Sequence, residues 1–467
     1  MANKEKSLVK NVLLFSIGNA GSKLLMLVIV PLYTYFVTAE QMGMYDVAHT
    51  YIGLFAPLAG MALYEGIYRW LLDDKGEKRK ILKNGIFLTV IFVLIFDVIA
   101  AVVLWLVQYE FAVEFILVVD TTAAYTLAQF VTRGLRNNKI YALQGIIYTG
   151  TLILCNIIMV IWLKMQAQGL LLSIAAAGIV GTVYMLLVQR KGLRSEEKGT
   201  LDKRLSMDLV KYSVPMVPNN IAWWLVSASN RLVINWSLGN IANGVYAISM
   251  KFPTLVNMLS TFFYQAWQDQ AITEYTSEQR DAYYTKIFNI YMKLLLSGIV
   301  ALFPVTKFII VYFMDASYHD AYKYIGLLYL SGVFNAFAAF YGTGYLSSKK
   351  TGGAFTTTII GAVANVLLTF ILIKPFGLYA AAIGNMVGNI AIWVVRMIQT
   401  RKHFRINLSY GIFALLIAVC LVSMILVNLA NLPMMIILEV VLCVFFVIIN
   451  KEMMKKLLGM LKSKAKK

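Results

Sequence analysis

Apolar runs of about 20 residues, the length that carries an α-helix across a bilayer, recur along nearly the whole chain. They fall at 11–37, 42–71, 83–107, 111–133, 140–163, 169–189, 211–238, 242–268, 284–303, 321–346, 352–373, 378–400, 408–428 and 433–450. In lipid every backbone polar group must be satisfied within the segment, so runs of this length read as helices. The expected fold class is an all-α polytopic membrane protein with about 14 transmembrane helices. Composition agrees: of 467 residues, 60% are hydrophobic and 14% charged, where soluble domains carry roughly 25% charged residues. The stretch 304–320 reads either as an extension of the 284–303 helix or as an interfacial segment.

Lys and Arg set the expected orientation. Assigning alternate loops to one side places 33 of the 42 there, including Arg133, Arg396 and the seven lysines of 451–467. The opposite loops hold Lys164, Lys307, Lys323 and Lys374. Under the positive-inside rule both termini are cytoplasmic. The net charge of +19 is then a basic inner rim facing anionic lipid, and nucleic acid is not needed as a partner. The first run is too long for the apolar part of a signal peptide, contains Lys23 and has no small-x-small cleavage site, so it is expected to be retained as a helix. Cys155, Cys420 and Cys443 lie in apolar spans and read as packing residues. The three histidines show no metal-ligand spacing, and no metal site is expected.

Five cations sit inside the spans: Lys23, Arg69, Arg231, Lys251 and Lys293. A cation at the centre of a membrane helix costs roughly 2.5 to 3.5 kcal/mol on insertion scales, so each needs water, a carboxylate or an anionic ligand. Helical spacing narrows the choice. Asn220, Trp224, Ser227, Arg231 and Asn235 recur at intervals of 4, 3, 4 and 4, which is one helix face. Ser16, Asn19 and Lys23 form a second such stripe, and Lys251, Thr254, Met258, Thr261 and Gln265 a third. Lys23, Arg231 and Lys251 are thereby the candidate anion-binding residues. Asn19, Glu65, Arg69, Asn220, Trp224, Ser227, Asn230 and Gln265 are candidate cavity lining. Glu65 lies one turn before Arg69 and is expected to pair with it. Lys293 is near enough to the inner rim to snorkel.

Asp46, Glu65, Asp97 and Asp120 are acids within or at the ends of spans. Each could exchange a proton or bind sodium during transport, and each is equally a counter-ion for one of the cations. Pro31, Pro57, Pro215, Pro218 and Pro253 mark bends in the spans.

Internal repetition suggests the domain plan. At an offset of 201, Leu8-Val9-Lys10 aligns with Leu209-Val210-Lys211, Gly43 with Gly244 and Tyr45 with Tyr246. Two six-helix lobes of like orientation follow, with a pseudo-two-fold axis along the membrane normal and substrate between them. The expected division is 1–190 for the first lobe, 191–210 for a cytoplasmic linker and 211–405 for the second lobe. Two C-terminal helices at 406–450 and a basic tail at 451–467 complete the chain.

The motif Tyr212-Ser213-Val214-Pro215-Met216-Val217-Pro218, with Trp224, Asn230-Arg231, Gly244-Val245-Tyr246 and Lys251-Phe252-Pro253, resembles the Wzx-type oligosaccharide flippases. These belong to the multidrug/oligosaccharidyl-lipid/polysaccharide exporter superfamily. Lys374-Pro375-Phe376-Gly377-Leu378 followed by Tyr379 and three alanines resembles the same family. One departure is visible: the family pattern has Asp-Arg where this chain has Asn230-Arg231, so a carboxylate directly before Arg231 is missing. The resemblance implies a non-enzymatic flippase of a bacterial plasma membrane, carrying a polyprenyl-diphosphate-linked saccharide to the outer leaflet by alternating access. Arg231 would hold the diphosphate bidentately and Lys23 and Lys251 as point charges. Trp223, Trp224, Tyr64, Tyr68, Gln265 and Gln268 are candidate saccharide contacts. A proton or sodium ion would be the coupling ion, and a polysaccharide polymerase or glycosyltransferases the protein partners. Lipid II or a teichoic-acid precursor stays open as cargo. A membrane glycosyltransferase or polymerase would need a large outer loop bearing acids, and a drug exporter of the MATE kind an acidic cavity.

Overall fold

The computed structural model describes residues 30–72, 78–193, 200–348 and 352–455, and those residues are helical almost throughout. In chain order the helices are α1 Ala39–Ala59, α2 Leu63–Leu72, α3 Lys78–Leu106, α4 Ala112–Gly134, α5 Asn138–Asn156 and α6 Gln166–Leu193. There follow α7 Lys203–Ser213, α8 Met216–Lys251, α9 Pro253–Glu274, α10 Arg280–Phe313, α11 Tyr322–Ser347, α12 Gly352–Phe376, α13 Leu378–Thr400, α14 Tyr410–Leu429 and α15 Leu432–Ile449. Among the described residues ten helices are long and apolar enough to cross a membrane, and α1 with α2 supplies an eleventh, bent by 56°. Of the fourteen expected spans, 11–37 lies largely outside the described residues. The other two, 211–238 and 242–268, are helical but too rich in Asn, Ser and Gln to meet that apolar standard. The protein is an all-α, multi-pass membrane protein.

Two compact units are formed, one by Phe36–Asn235 and the other by Trp236–Lys467 with the chain up to Tyr35. These cuts differ from the expected linker at 191–210. The amphipathic α7 packs on α2 and α3, and the first part of α8 falls in the same unit.

In the Phe36–Asn235 unit the span 42–71 is not one helix. Thr38 caps α1, its hydroxyl accepting from Gln41 N–H at 3.3 Å. Pro57 then removes one backbone donor, and Met61 and Ala62 adopt left-handed φ of 47° and 51° before α2 begins. A left-handed residue other than glycine costs about 1–2 kcal/mol. The break divides two apolar clusters. Ile52, Ala56 and Ala59 pack with Phe115, Val119, Ala123 and Leu171 on one side, and Leu63, Ile67 and Leu71 with Ile81, Val131 and Leu209 on the other.

Asn84 ties the linker to α3. Its amide donates to Lys80 O and Thr200 O at 2.8 Å each, and its oxygen accepts from Asp202 N–H and the Ser206 hydroxyl. Asp202 caps α7 and meets the Lys80 ammonium at 2.8 Å. That ammonium, with the N–H groups of Leu205 and Arg204, holds the Asp202 carboxyl below the usual carboxylate range.

In the second unit α12 and α13 form a hairpin turned at Gly377, whose φ is 55°. Backbones approach closely there: a Cβ on Gly388 would lie 2.7 Å from Gly361 O, and one on Gly384 2.8 Å from Asn365 O. Small residues four apart allow membrane helices to pack at this distance. The ambiguous 304–320 stretch resolves as a continuation of α10 to Phe313 followed by a short 3₁₀ turn at Ala316–Ala321. Lys307, expected in an outer loop, is therefore buried in α10. Its ammonium donates to Val427 O, Asn428 O and Ala430 O at 2.8, 3.2 and 2.8 Å, closing the C-terminus of α14.

Candidate functional site

The α8 stripe meets α1 and α2 in antiparallel order. Arg231 Nε donates to Asp46 Oδ2 at 2.8 Å, with 28% of the arginine side chain and 10% of the aspartate exposed. Seven residues earlier, or about 10 Å along the helix, the Trp224 indole N–H donates to Thr50 O at 2.6 Å. One further turn back, Asn220 Nδ2 donates to the Tyr64 phenol at 3.2 Å. Asp46 and Thr50 are four apart, so they share the α1 face that receives the stripe. The carboxylate absent at position 230 is thus supplied from α1. This is an exchangeable arrangement: an incoming anion can compete for a half-buried guanidinium already paired to a buried carboxylate.

A cavity of about 220 Å³ lies at the α1–α2 break, lined by Gly53, Ala56, Gly60 and Tyr64 from that span, Thr89 from α3, and Thr122, Ala123 and Thr126 from α4. Tyr64 packs on Phe130 with centroids 4.7 Å apart. Toward the end of α4, the Arg133 guanidinium lies 5.3 Å from the Tyr68 ring, 5.5 Å from Phe130 and 5.9 Å from Tyr141. Among the described residues no ion pair joins Glu65 to Arg69, whose i,i+4 spacing suggests one, and the charge of Arg133 is the one that acts on the Glu65 carboxyl.

The remaining candidates are dispersed. Asp97 stands beside Asp120, near enough for a hydrogen bond between the carboxyls, and the Oδ1 atom of each is buried without a partner among the described residues. Asn230 is buried. Lys251 belongs to the other unit, half-buried in the last turn of α8, because the chain bends at Gly239 (φ 80°) and the expected 242–268 helix is divided at Pro253. Gln265 is exposed on α9 and Arg69 on α2. Lys23, Asn19 and the Ser227 side chain lie outside the described residues.

Arg396 was missed. Counted by position as a rim cation, it is instead enclosed among α11, α12 and α13. It donates to Thr357 Oγ1 at 3.0 Å, Ala338 O at 2.9 Å, Thr358 Oγ1 at 3.2 Å and Ala354 O at 3.4 Å. The two threonines one apart on α12 are its only sequence signal.

These features define a multi-helical membrane transporter. The fold is that of an inward-closed lipid II flippase structure, with TM-score 0.68 and 15% identity over 95% of this chain and 100% of that one. A MATE transporter (TM-score 0.55, 15% identity, 85% of this chain and 96% of that one) is also similar. So is a superfamily transporter from Pyrococcus furiosus (0.56, 15%, 85% and 95%), reported to have a binding pocket of reversed polarity. An uncharacterized membrane protein of Methanocaldococcus jannaschii is 22% identical over 317 residues, 63% of this chain and 72% of its own. The family model described as polysaccharide biosynthesis protein matches residues 8–268, more than half of the chain, so the chain belongs to the polysaccharide biosynthesis protein family. The solved structures it is similar to are a flippase and transporters.

Proposed function

We propose that the protein is a flippase that moves a polyprenyl-diphosphate-linked oligosaccharide from the inner to the outer leaflet by alternating access, for cell-surface polysaccharide synthesis. The observation that carries this is Arg231. A guanidinium lies within a membrane helix of the family-matched region, paired to a carboxylate that a diphosphate could replace. Lys23 and Lys251 would act on the same cargo as point charges. A cationic group suits a lipid-linked diphosphate better than the cationic drugs an acidic cavity would attract, which places the MATE reading second. Lipid II and teichoic-acid precursors share the diphosphate or phosphate chemistry and are alternative cargo.

The membrane would be a bacterial plasma membrane with both termini cytoplasmic, and a polymerase or glycosyltransferases would work alongside. A proton or sodium ion would couple transport. The Asp97 and Asp120 pair is the place we assign to it, since a hydrogen bond between two carboxyls holds one proton. Asp46 and Glu65 would then serve as counter-ions of Arg231 and Arg133.

Single substitutions of Lys23, Arg231 and Lys251 by Gln, with expression confirmed, test the reading through outer-leaflet exposure of the lipid-linked glycan. Export should fall at least tenfold in Arg231→Gln. Normal export in all three variants overturns the assignment.

A further inference from the structure

We propose that the cavity at the α1–α2 break is a subsite for a single uncharged pyranose ring of the cargo, an assignment that rests on the flippase reading. Its volume of about 220 Å³ suits one ring and not a chain of them. No charged side chain lines it, so neither a diphosphate nor a uronic acid is matched there. The polar groups that do line it are hydroxyls: Tyr64, Thr89, Thr122 and Thr126.

Two of these hydroxyls behave unusually. Thr121 and Thr132 on the same helix bond back to Leu117 O and Ala128 O at 2.8 Å, and Thr89 on α3 bonds to Gly85 O, the ordinary way for a membrane threonine to satisfy its O–H. Thr122 and Thr126 make no such bond among the described residues. Tyr64 accepts from Asn220 and donates to nothing described, so its O–H proton also stays unused. Three groups that each donate and accept thus face one space. A sugar hydroxyl has the same double capacity. An apolar chain in that space would leave all three unpaired, at about 1–3 kcal/mol each.

The opposite wall is smooth. Gly53, Ala56 and Gly60 recur at 3 and 4 along α1, giving a flat surface against which a ring face can lie, with the Tyr64 ring at the end of the span. The left-handed residues Met61 and Ala62 directly follow Gly60 and hold the break open. Asn220 connects this subsite to the helix that carries Arg231, which puts a ring contact and an anion contact on one stripe.

Binding in nanodiscs distinguishes the possibilities, with two probes: undecaprenyl diphosphate, and the same lipid bearing one N-acetylglucosamine. The wild type should bind the glycosylated lipid more tightly. Thr122→Val with Thr126→Val should weaken the glycosylated lipid about tenfold and leave the bare lipid within twofold. Gly60→Ala is the fold-safe second variant, because its added Cβ would meet Thr89 Cγ2 at 3.5 Å, an ordinary contact, while narrowing the cavity. It should act in the same direction. Equal losses for both lipids, or no loss for either, overturn the subsite. Wild-type binding of the bare lipid with no gain from the sugar overturns the subsite and leaves the flippase reading standing. No binding of either probe overturns both.

Discussion

Arg231 and Arg396 are both arginines within helices of a membrane protein, and the two regions treat them in opposite ways. Arg396 is closed in by four neutral acceptors from α11 and α12, two of them threonine hydroxyls and two backbone carbonyls. Those partners are fixed by helix packing and cannot be exchanged for a ligand without opening the bundle. Arg231 faces Asp46, an ionisable side chain on a helix that is interrupted 14 residues later by the break at Gly60. The lesson is that an intramembrane charge marks function through the kind of partner it has. A planar five-donor group held by neutral acceptors is a clasp, whereas one that meets a carboxylate is a contact that an anion can enter.

The strongest way to break this contrast is to exchange each arginine for lysine and glutamine. Arg396→Gln should lower thermal stability of the purified protein by roughly 3 kcal/mol, since hydrogen bonds from a charged donor contribute about 1.5–3 kcal/mol. Arg396→Lys should do nearly as badly, because a point charge cannot span four acceptors of the fork. Arg231→Lys should keep the fold and part of the export activity, and Arg231→Gln the fold with export reduced at least tenfold. Stability scans and an outer-leaflet glycan assay on the same four proteins check this; a stable Arg396→Lys or a fully active Arg231→Gln would erase the distinction.

A second test concerns Asp46. Asp46→Asn removes the competing carboxylate while preserving shape, and should tighten binding of undecaprenyl diphosphate several-fold while slowing export, because bound cargo then has no partner to displace it. Isothermal binding and export measured together would show the two moving in opposite directions. For the clasp region, Gly388→Val should destabilise the α12–α13 hairpin by about 2 kcal/mol through overpacking against the Gly361 carbonyl. Thermal unfolding would register it, with export per folded molecule unchanged.

The smallest effect belongs to the linker. Asp202 has a depressed folded pKa, so its stabilisation of the first turn of α7 is complete above the unfolded carboxylate value near ~3.9 and is lost as pH falls through the lower folded value. Hydrogen exchange of Arg204 and Leu205 amides should be flat, after correction for intrinsic rates, from pH 7 to 5 and speed up only below about 4.

Much of the site was legible in the chain because helical spacing is a one-dimensional rule. The α8 stripe was found by counting, and Asn220, Trp224 and Arg231 do share one face, each with a partner on α1 or α2. The partners were not legible. Asp46 lies 185 residues away from Arg231, and no local pattern selects it over Glu65 or Asp97. Local pattern also misled: Glu65 and Arg69 have ideal spacing, yet Arg133 on a neighbouring helix acts on the glutamate. The cavity was invisible for a different reason. It arises where two apolar clusters fail to meet across a break, and Gly60-Met61-Ala62 carries no glycine at the two positions that turn left-handed.

Sequence alone determined that this chain is a multi-pass helical membrane protein with a few costly cations inside its spans, because apolar length and charge content are summed along the chain. Tertiary structure decided which cation is a clasp, which is a contact, and where a ring-sized space opens. Burial, pairing and the fate of a hydroxyl proton depend on the helix packed opposite, and the chain does not record which helix that is.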